Sequence, residues 1–221
     1  MNLSKNDQHD RPLFYIVAGE VSGDIIGAGV MKSLKNLTSG KARFAGVGGV
    51  HMSSEGLESL FPIDELSVLG LFELIPKIPK FLKRIGETVH DIFLKKPCAV
   101  ITIDSKGFDF RIAKQIALKQ NNETKKIKLI HMVAPTVWAW RPGRAKKIAK
   151  LFDHLLAMFP FEPAYFIPHG LKTSFVGHPA LEEKEGNADT FKKSFSIPKD
   201  CLVLSMLPGS RTGEIDRLLP V

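Results

Sequence analysis

Short apolar runs rich in Val, Ile and Leu alternate along this chain with longer stretches in which apolar positions recur every three or four residues. Leu13 to Ala18 reads as a buried strand stopped at Gly19. Asp24 to Asn36 reads as a helix whose stripe is Ile25, Ile26, Val30 and Leu34. Arg43 to Val47 predicts a second strand ending in Gly48-Gly49, and Ala99 to Ile103 a third. Phe108 to Gln120 then predicts a helix with Ile112, Ile116 and Ala117 on one side. Lys128 to Val133, His154 to Met158 and Thr173 to Val176 continue the strands. Strand, crossover and strand in alternation implies an α/β fold, Rossmann-like, with a mostly parallel sheet covered on both faces.

Residues 1–12 are polar and predict a disordered tail, leaving 13–180 as one lobe. At 181–189 Glu, Lys, Gly and Asn replace the apolar pattern, which reads as a linker. Residues 190–221 read as the start of a second Rossmann-like lobe. There Thr190 to Ser196 predicts a helix, Leu202 to Met206 a strand, and Pro208-Gly209-Ser210-Arg211 a strand-to-helix turn. Such a lobe takes roughly another 150 residues, so the sequence is expected to end inside a domain it has only begun.

Composition narrows the partners. With 221 residues and 44% hydrophobic content the chain can bury an ordinary core. No apolar stretch approaches the ~18 to 20 residues that span a bilayer, and Met1 to Pro12 has no apolar signal core. Cys98 and Cys201 lie far apart in apolar surroundings, which predicts buried thiols in a reducing compartment. No CxxC or HxxxH spacing occurs, so no metal site is expected. A formal charge of +8 asks for an anionic partner: nucleic acid, phospholipid headgroups or a phosphorylated substrate. A nucleic-acid module has only this charge in its favour, since no helix-turn-helix, RNP or zinc pattern is present.

The candidate chemistry sits at strand ends, where a parallel sheet gathers its ligands. Gly19-Glu20-Val21-Ser22-Gly23-Asp24 follows the first strand. Its glycines let backbone lie close to a ligand, and Ser22 or Asp24 serves equally well as a helix cap. It is neither a GxGxxG fingerprint nor a P-loop. Gly48 and Gly49 follow the second strand in the same manner. The third strand ends at Asp104, with Asp109 five residues on; a carboxylate there can act as a general base or cap the next helix.

Both tryptophans, Trp138 and Trp140, lie beside Arg141 after the fourth strand, as a wall for a sugar or acyl chain or as core. Arg141, Arg144, Lys146, Lys147 and Lys150 follow with no acidic residue among them, giving either a phosphate or anionic-lipid face or a solvated one. Between the second and third strands, Val68, Leu69, Leu71, Phe72, Leu74 and Ile75 form a greasy segment. It leads through Pro76 and Pro79 into a basic amphipathic helix carrying Phe81, Lys83 and Arg84. Core packing explains such a stripe, and so does contact with a membrane surface.

Taken in order, these motifs resemble those of the lipid-A-disaccharide synthase family. The resemblance rests on Val17 to Asp24, Gly46-Val47-Gly48-Gly49, Val68-Leu69-Gly70, Pro135 to Arg141, Phe159-Pro160-Phe161-Glu162, Val176-Gly177-His178-Pro179 and Leu207 to Arg211. It implies a GT-B fold of two Rossmann-like lobes. It also implies transfer of an acylated glucosamine from UDP to an acylated glucosamine 1-phosphate, β-1,6 and inverting, with no cofactor or metal. The implied setting is the cytoplasmic side of the inner membrane, on an anionic lipid surface. Gly19, Ser22, Gly23, Asp24, Gly48, Gly49, Trp138, Trp140 and Arg141 become substrate contacts, and Gly209, Ser210, Arg211 and Glu214 donor contacts. Family members often carry Ile-Asp-x-Pro-Asp-Phe, with the second Asp favoured as base. Here Ile103 to Phe108 places Gly107 at that position, so Asp104, then Asp109, then Glu20 are the base candidates. A different UDP-sugar transferase or epimerase would share the fold without needing the greasy segment.

Overall fold

A computed structural model of the chain describes residues 11–66, 78–120, 126–181, 186–209, 215–216 and 218–219. Six strands form one sheet: β1 (Leu13–Ala18), β2 (Arg43–Val47), β3 (Ala99–Ile103), β4 (Lys128–Met132), β5 (His154–Ala157) and β6 (Lys172–Phe175). They lie in the order β2-β1-β3-β4-β5-β6, and every neighbouring pair is parallel. The helices are α1 (Val21–Leu37), α2 (Val50–Ser54), α3 (Ile78–Lys95), α4 (Lys106–Lys119), α5 (Arg144–Ile148), α6 (Pro163–Phe166) and α7 (Ala188–Ser194).

The continuous apolar runs follow from burial on both faces of the sheet. Tyr15 and Val17 of β1 join Val100 of β3 in one core, packed under Ile85, Val89 and Ile92 of α3 and Phe108, Ile112 and Ile116 of α4. The alternate residues Ile16 and Ala18 join Ile101 and Ile103 in a second core, under Met31 of α1 and Met52 of α2. Successive side chains point to opposite faces, so one run of six residues feeds both cores. Tyr15 keeps its hydroxyl satisfied by donating to Asp91 at 2.9 Å. Burial first, and the Asp91 charge second, raise that hydroxyl's pKa.

Several sequence expectations are corrected. The helix read from Asp24 begins at Val21, and the helix read from Phe108 begins at Lys106. The segment Leu202 to Met206 forms no strand, and Leu202, Leu204 and Met206 are all exposed. An apolar run needs a ladder partner to become a strand, and the sheet described here ends at β6. Helix α7 starts inside the stretch read as a linker. Cys98 and Cys201 are exposed rather than buried. Cys98 sits in the connection before β3, outside the apolar run that begins at Ala99.

Candidate active site

Strand β1 is followed on one side by β2 and on the other by β3, so the direction of winding reverses between β1 and β3. Ligands of open parallel sheets bind in the crevice at the carboxyl ends of the strands at such a point. The two loops that flank it are Gly19-Glu20 and Asp104-Ser105. They touch: a Cβ on Gly19 would collide with the Ser105 side chain, so only glycine lets β1 turn into α1 this close to β3. Glu20 is the N-terminal flanking residue of α1 in extended backbone, half-buried, and its side chain caps nothing in that helix. Ser22 is exposed on the first turn, and Gly23 is buried, its Cα side facing the Ile103 carbonyl.

Asp104 is half-buried and holds a left-handed backbone, φ 57°. Aspartate tolerates that region better than most residues, and such strain concentrates where a side chain must be aimed. Its N–H donates to the Met132 carbonyl at 3.2 Å, which ties the loop to the end of β4.

Two other predicted site carboxylates are occupied by the fold. Asp24 is buried, and its carboxylate accepts the backbone N–H groups of Gly49, His51 and Met52 at 2.7, 2.9 and 3.0 Å. It therefore caps the amino terminus of α2 from a different helix. A Cβ on Gly49 would lie 2.7 Å from this carboxylate, so Gly49 keeps the approach open, while Gly48 donates its N–H to Ser59 at 3.1 Å. Asp109 has no exposed surface, and its Oδ2 accepts the Ser105 N–H at 3.1 Å. Burial holds the Asp109 carboxyl well above the usual carboxylate range; the Ser105 N–H opposes the rise and the Asp104 charge adds to it. Burial that disfavours its charged form makes Asp109 poorly suited to take a proton from a substrate, whereas Asp104 and Glu20 are only half-buried.

Sequence reasoning missed what lies beneath Asp109. His131 of β4 is fully buried, with Nδ1 4.0 Å from Asp109 Oδ2 and 2.8 Å from the Thr102 hydroxyl. Phe152 stacks on the imidazole and Phe110 meets it edge-on. The signal was a histidine and a threonine inside otherwise apolar strands. Glu162 was also missed as a structural residue: it is buried and accepts the N–H groups of Met158 and Phe159, each at 3.0 Å.

Beyond β4 and β5 the loops form an aromatic shelf. Trp138 meets Phe161 edge-on at 5.4 Å, Phe161 stacks on Phe159 at 5.7 Å, and His178 lies 6.2 Å from Phe159. Trp138 remains 44% exposed and Trp140 64%, so neither is a core residue. Arg141 carries φ 59° and lays its guanidinium 4.2 Å over the Trp140 ring.

On α3, Phe81 packs edge-on against Phe108 and Lys83 is exposed. Arg84 is committed to the fold: it lies over Phe61 and donates to Glu65 at 2.6 and 3.0 Å and to Glu87 at 2.6 Å. The Arg84 hydrogen bond, and to a lesser degree that of Lys80, lowers the Glu65 pKa. The expected membrane contacts Val68, Leu69, Leu71, Phe72, Leu74 and Ile75 lie outside the described residues, as do Ser210, Arg211 and Glu214; Gly209 is exposed. Among the described residues no three metal-ligating side chains gather, and no helix is long and apolar enough to cross a membrane.

The comparisons with known proteins bear on the same loops. A family model described as lipid-A-disaccharide synthetase matches residues 14–221. The lipid-A-disaccharide synthase of Rhodospirillum centenum is 46% identical over 210 residues, covering 94% of this chain and 51% of its own length. That of Gluconobacter oxydans is 46% identical over 211 residues, covering 95% and 49%, and that of Rickettsia canadensis 44% over 209, covering 94% and 53%. The chain thus spans about half the length of the curated relatives it matches. Among solved structures, UDP-GlcNAc 2-epimerase from Neisseria meningitidis bound to UDP-GlcNAc is similar with a TM-score of 0.49 at 12% identity, over 83% of this chain and 52% of that one. The family match begins at the second residue of β1 and takes in every loop of the crevice. The chain belongs to the lipid-A-disaccharide synthetase family.

Proposed function

We propose that this chain forms the acceptor-side half of an inverting transferase. The reaction joins UDP-2,3-diacylglucosamine to 2,3-diacylglucosamine 1-phosphate, giving a β-1,6 disaccharide and UDP. Asp104 takes the proton of the acceptor 6-hydroxyl, whose oxygen attacks the anomeric carbon opposite the departing diphosphate. The attack forms the new C–O bond as the bond to UDP breaks, which inverts the anomeric carbon. Glu20, Gly19, Ser22 and the Gly48-Gly49 loop border the acceptor, with Trp138 and its aromatic neighbours as a side wall. Donor contacts fall to Gly209, Ser210, Arg211 and Glu214, where a guanidinium offsets charge growing on the leaving group. The greasy segment and the start of α3 meet the acyl chains at an anionic membrane surface, on the cytoplasmic face of the inner membrane.

The observation that carries this reading is Asp104, a half-buried carboxylate held in left-handed backbone where the winding of the sheet reverses. Diacylglucosamine 1-phosphate titrated into the isotopically labelled chain should shift the amides of Gly19, Glu20, Asp104 and Ser105; unchanged amides there would remove the crevice from consideration. In a protein completed with the second half of the Rhodospirillum centenum relative, Asp104→Asn should lower kcat by ~10² to 10⁴ with KM little changed. Full retention of kcat would pass the role of base to Glu20.

A further inference from the structure

The segment from Trp140 to Lys150 carries more uncompensated charge than the transfer reaction uses. In α5 the side chains of Ala145 and Ile148 are buried, which turns Arg144, Lys146 and Lys147 to solvent, and Arg141 and Lys150 are exposed at either end. None of these five cations forms an ion pair with another described residue. Helix α3, with four cations and two acids of its own, behaves differently. There Lys80 and Arg84 pair with Glu65, Lys83 with Glu87, and Lys95 with Asp91. The cations of α3 are matched by acids on the helix and at Glu65, whereas α5 presents its charge outward, beside an indole that is 64% exposed.

A partner for this surface must offer many negative charges in a plane, with an apolar layer just beneath them for the indole. Tryptophan settles at that depth of a lipid interface, and each lysine or arginine near an anionic surface adds about 1 kcal/mol. A single substrate phosphate would engage one or two of the five cations, and a nucleic-acid duplex would leave the indole idle. We propose that Trp140–Lys150 is a docking surface for an anionic bilayer, with Trp140 at headgroup level and the five cations on lipid phosphates.

The topology puts this surface where a membrane can reach both it and α3. Helix α3 leads through a short connection into the start of β3, so its first turn lies at the carboxyl edge of the sheet. Phe81 packing 5.5 Å from Phe108, in the first turn after β3, fixes that placement. Ile78 and Leu82 are exposed there, and the loop leading to α5 leaves β4 at the same edge. The proposal rests on the membrane-surface part of the proposed function and adds a second, independent point of contact.

The chain contains two tryptophans, so Trp138→Phe leaves Trp140 as the sole indole reporter. The probes are vesicles of phosphatidylcholine with and without phosphatidylglycerol, some carrying brominated acyl chains. Trp140 emission should shift to the blue and be quenched by bromine with the anionic vesicles alone, and the response should weaken with salt. Lys146→Gln with Lys147→Gln should reduce vesicle affinity by on the order of 30-fold, with the circular dichroism unchanged. Sedimentation with vesicles while Trp140 stays water-like would overturn this surface and leave contact through α3 standing. No sedimentation at all would defeat both. Saturation of the emission change by inorganic phosphate or by an oligonucleotide, without vesicles, would overturn it in favour of a small-anion or nucleic-acid site.

Discussion

Replacing Asp24 by alanine should cost this fold more than any other single change in the first loop. The carboxylate accepts three backbone N–H groups at the amino terminus of α2, at 2.7, 2.9 and 3.0 Å. Hydrogen bonds to a charged acceptor contribute about 1.5 to 3 kcal/mol each when intact, and a buried donor left without one costs about 1 to 3 kcal/mol. Gly49 is half-buried and His51 exposed, so water can replace part of what they lose, whereas Met52 is buried and cannot recover. The sum is about 4 kcal/mol, a large share of the ~5 to 15 kcal/mol that holds a domain together. Asp24→Asn keeps one oxygen for Gly49 and Met52 but turns an amide N–H₂ toward the His51 N–H, so about half of the loss is expected. Urea unfolding followed by circular dichroism measures it. With a slope of about 2 kcal/mol per molar urea, Asp24→Ala should lower the midpoint by about 2 M, and Asp24→Asn by about 1 M. A shift below about 0.3 M for the alanine variant, at unchanged slope, would refute the assignment of Asp24 as the cap of α2.

Two further outcomes follow from the crevice. Gly19→Ala drives a methyl into the Ser105 side chain and should cost about 1 to 3 kcal/mol. Ser105→Gly in the same chain should restore most of that loss in a double-mutant cycle, and strictly additive costs would deny the contact. Asp109 carries a folded-state pKa above its unfolded value, so its contribution is complete at low pH and is lost as pH rises. From about pH 4 upward the unfolded chain releases this proton while the folded chain keeps it, lowering stability by about 1.4 kcal/mol per pH unit until the folded pKa is reached. Asp109→Asn has no such proton, so its stability should gain on the parent as pH rises; parallel curves would refute the buried protonated acid.

Strands β2 and β3 were legible in the sequence to the residue, because a strand buried on both faces reads as an unbroken apolar run and a glycine or a turn residue ends it. Helix starts were less legible. Residues 21 to 23 are held in the first turn of α1 by the path out of β1 rather than by any side-chain cap. The site divided along similar lines. Gly19, Glu20 and Asp104 come together because strand ends do so in every parallel sheet, which sequence order already implies. The roles of Asp24 and Asp109 could not be read from spacing alone. Asp24 serves the end of a helix some 25 residues away, and Asp109 is defined by a burial that its own neighbours in sequence do not announce. Leu202 to Met206 has the apolar run of a strand without a ladder, since pattern supplies a candidate and only a neighbouring strand makes it a sheet.

The order of the sheet also bears on how the chain leaves the ribosome. From β3 onward, spatial order and synthetic order coincide, β3-β4-β5-β6. The trio β2-β1-β3 at one end of the sheet is complete once Ile103 has emerged, and each later strand finds its docking edge already built. About 25 residues separate the end of β4 from the end of β5, which at ~5 to 20 residues per second is a delay of a few seconds. During each delay the growing edge stands open, first that of β3, then β4, then β5. A nascent chain of this topology grows in one direction from a finished end, and the exposure of its growing edge is a series of short intervals, each closed by the arrival of the next strand.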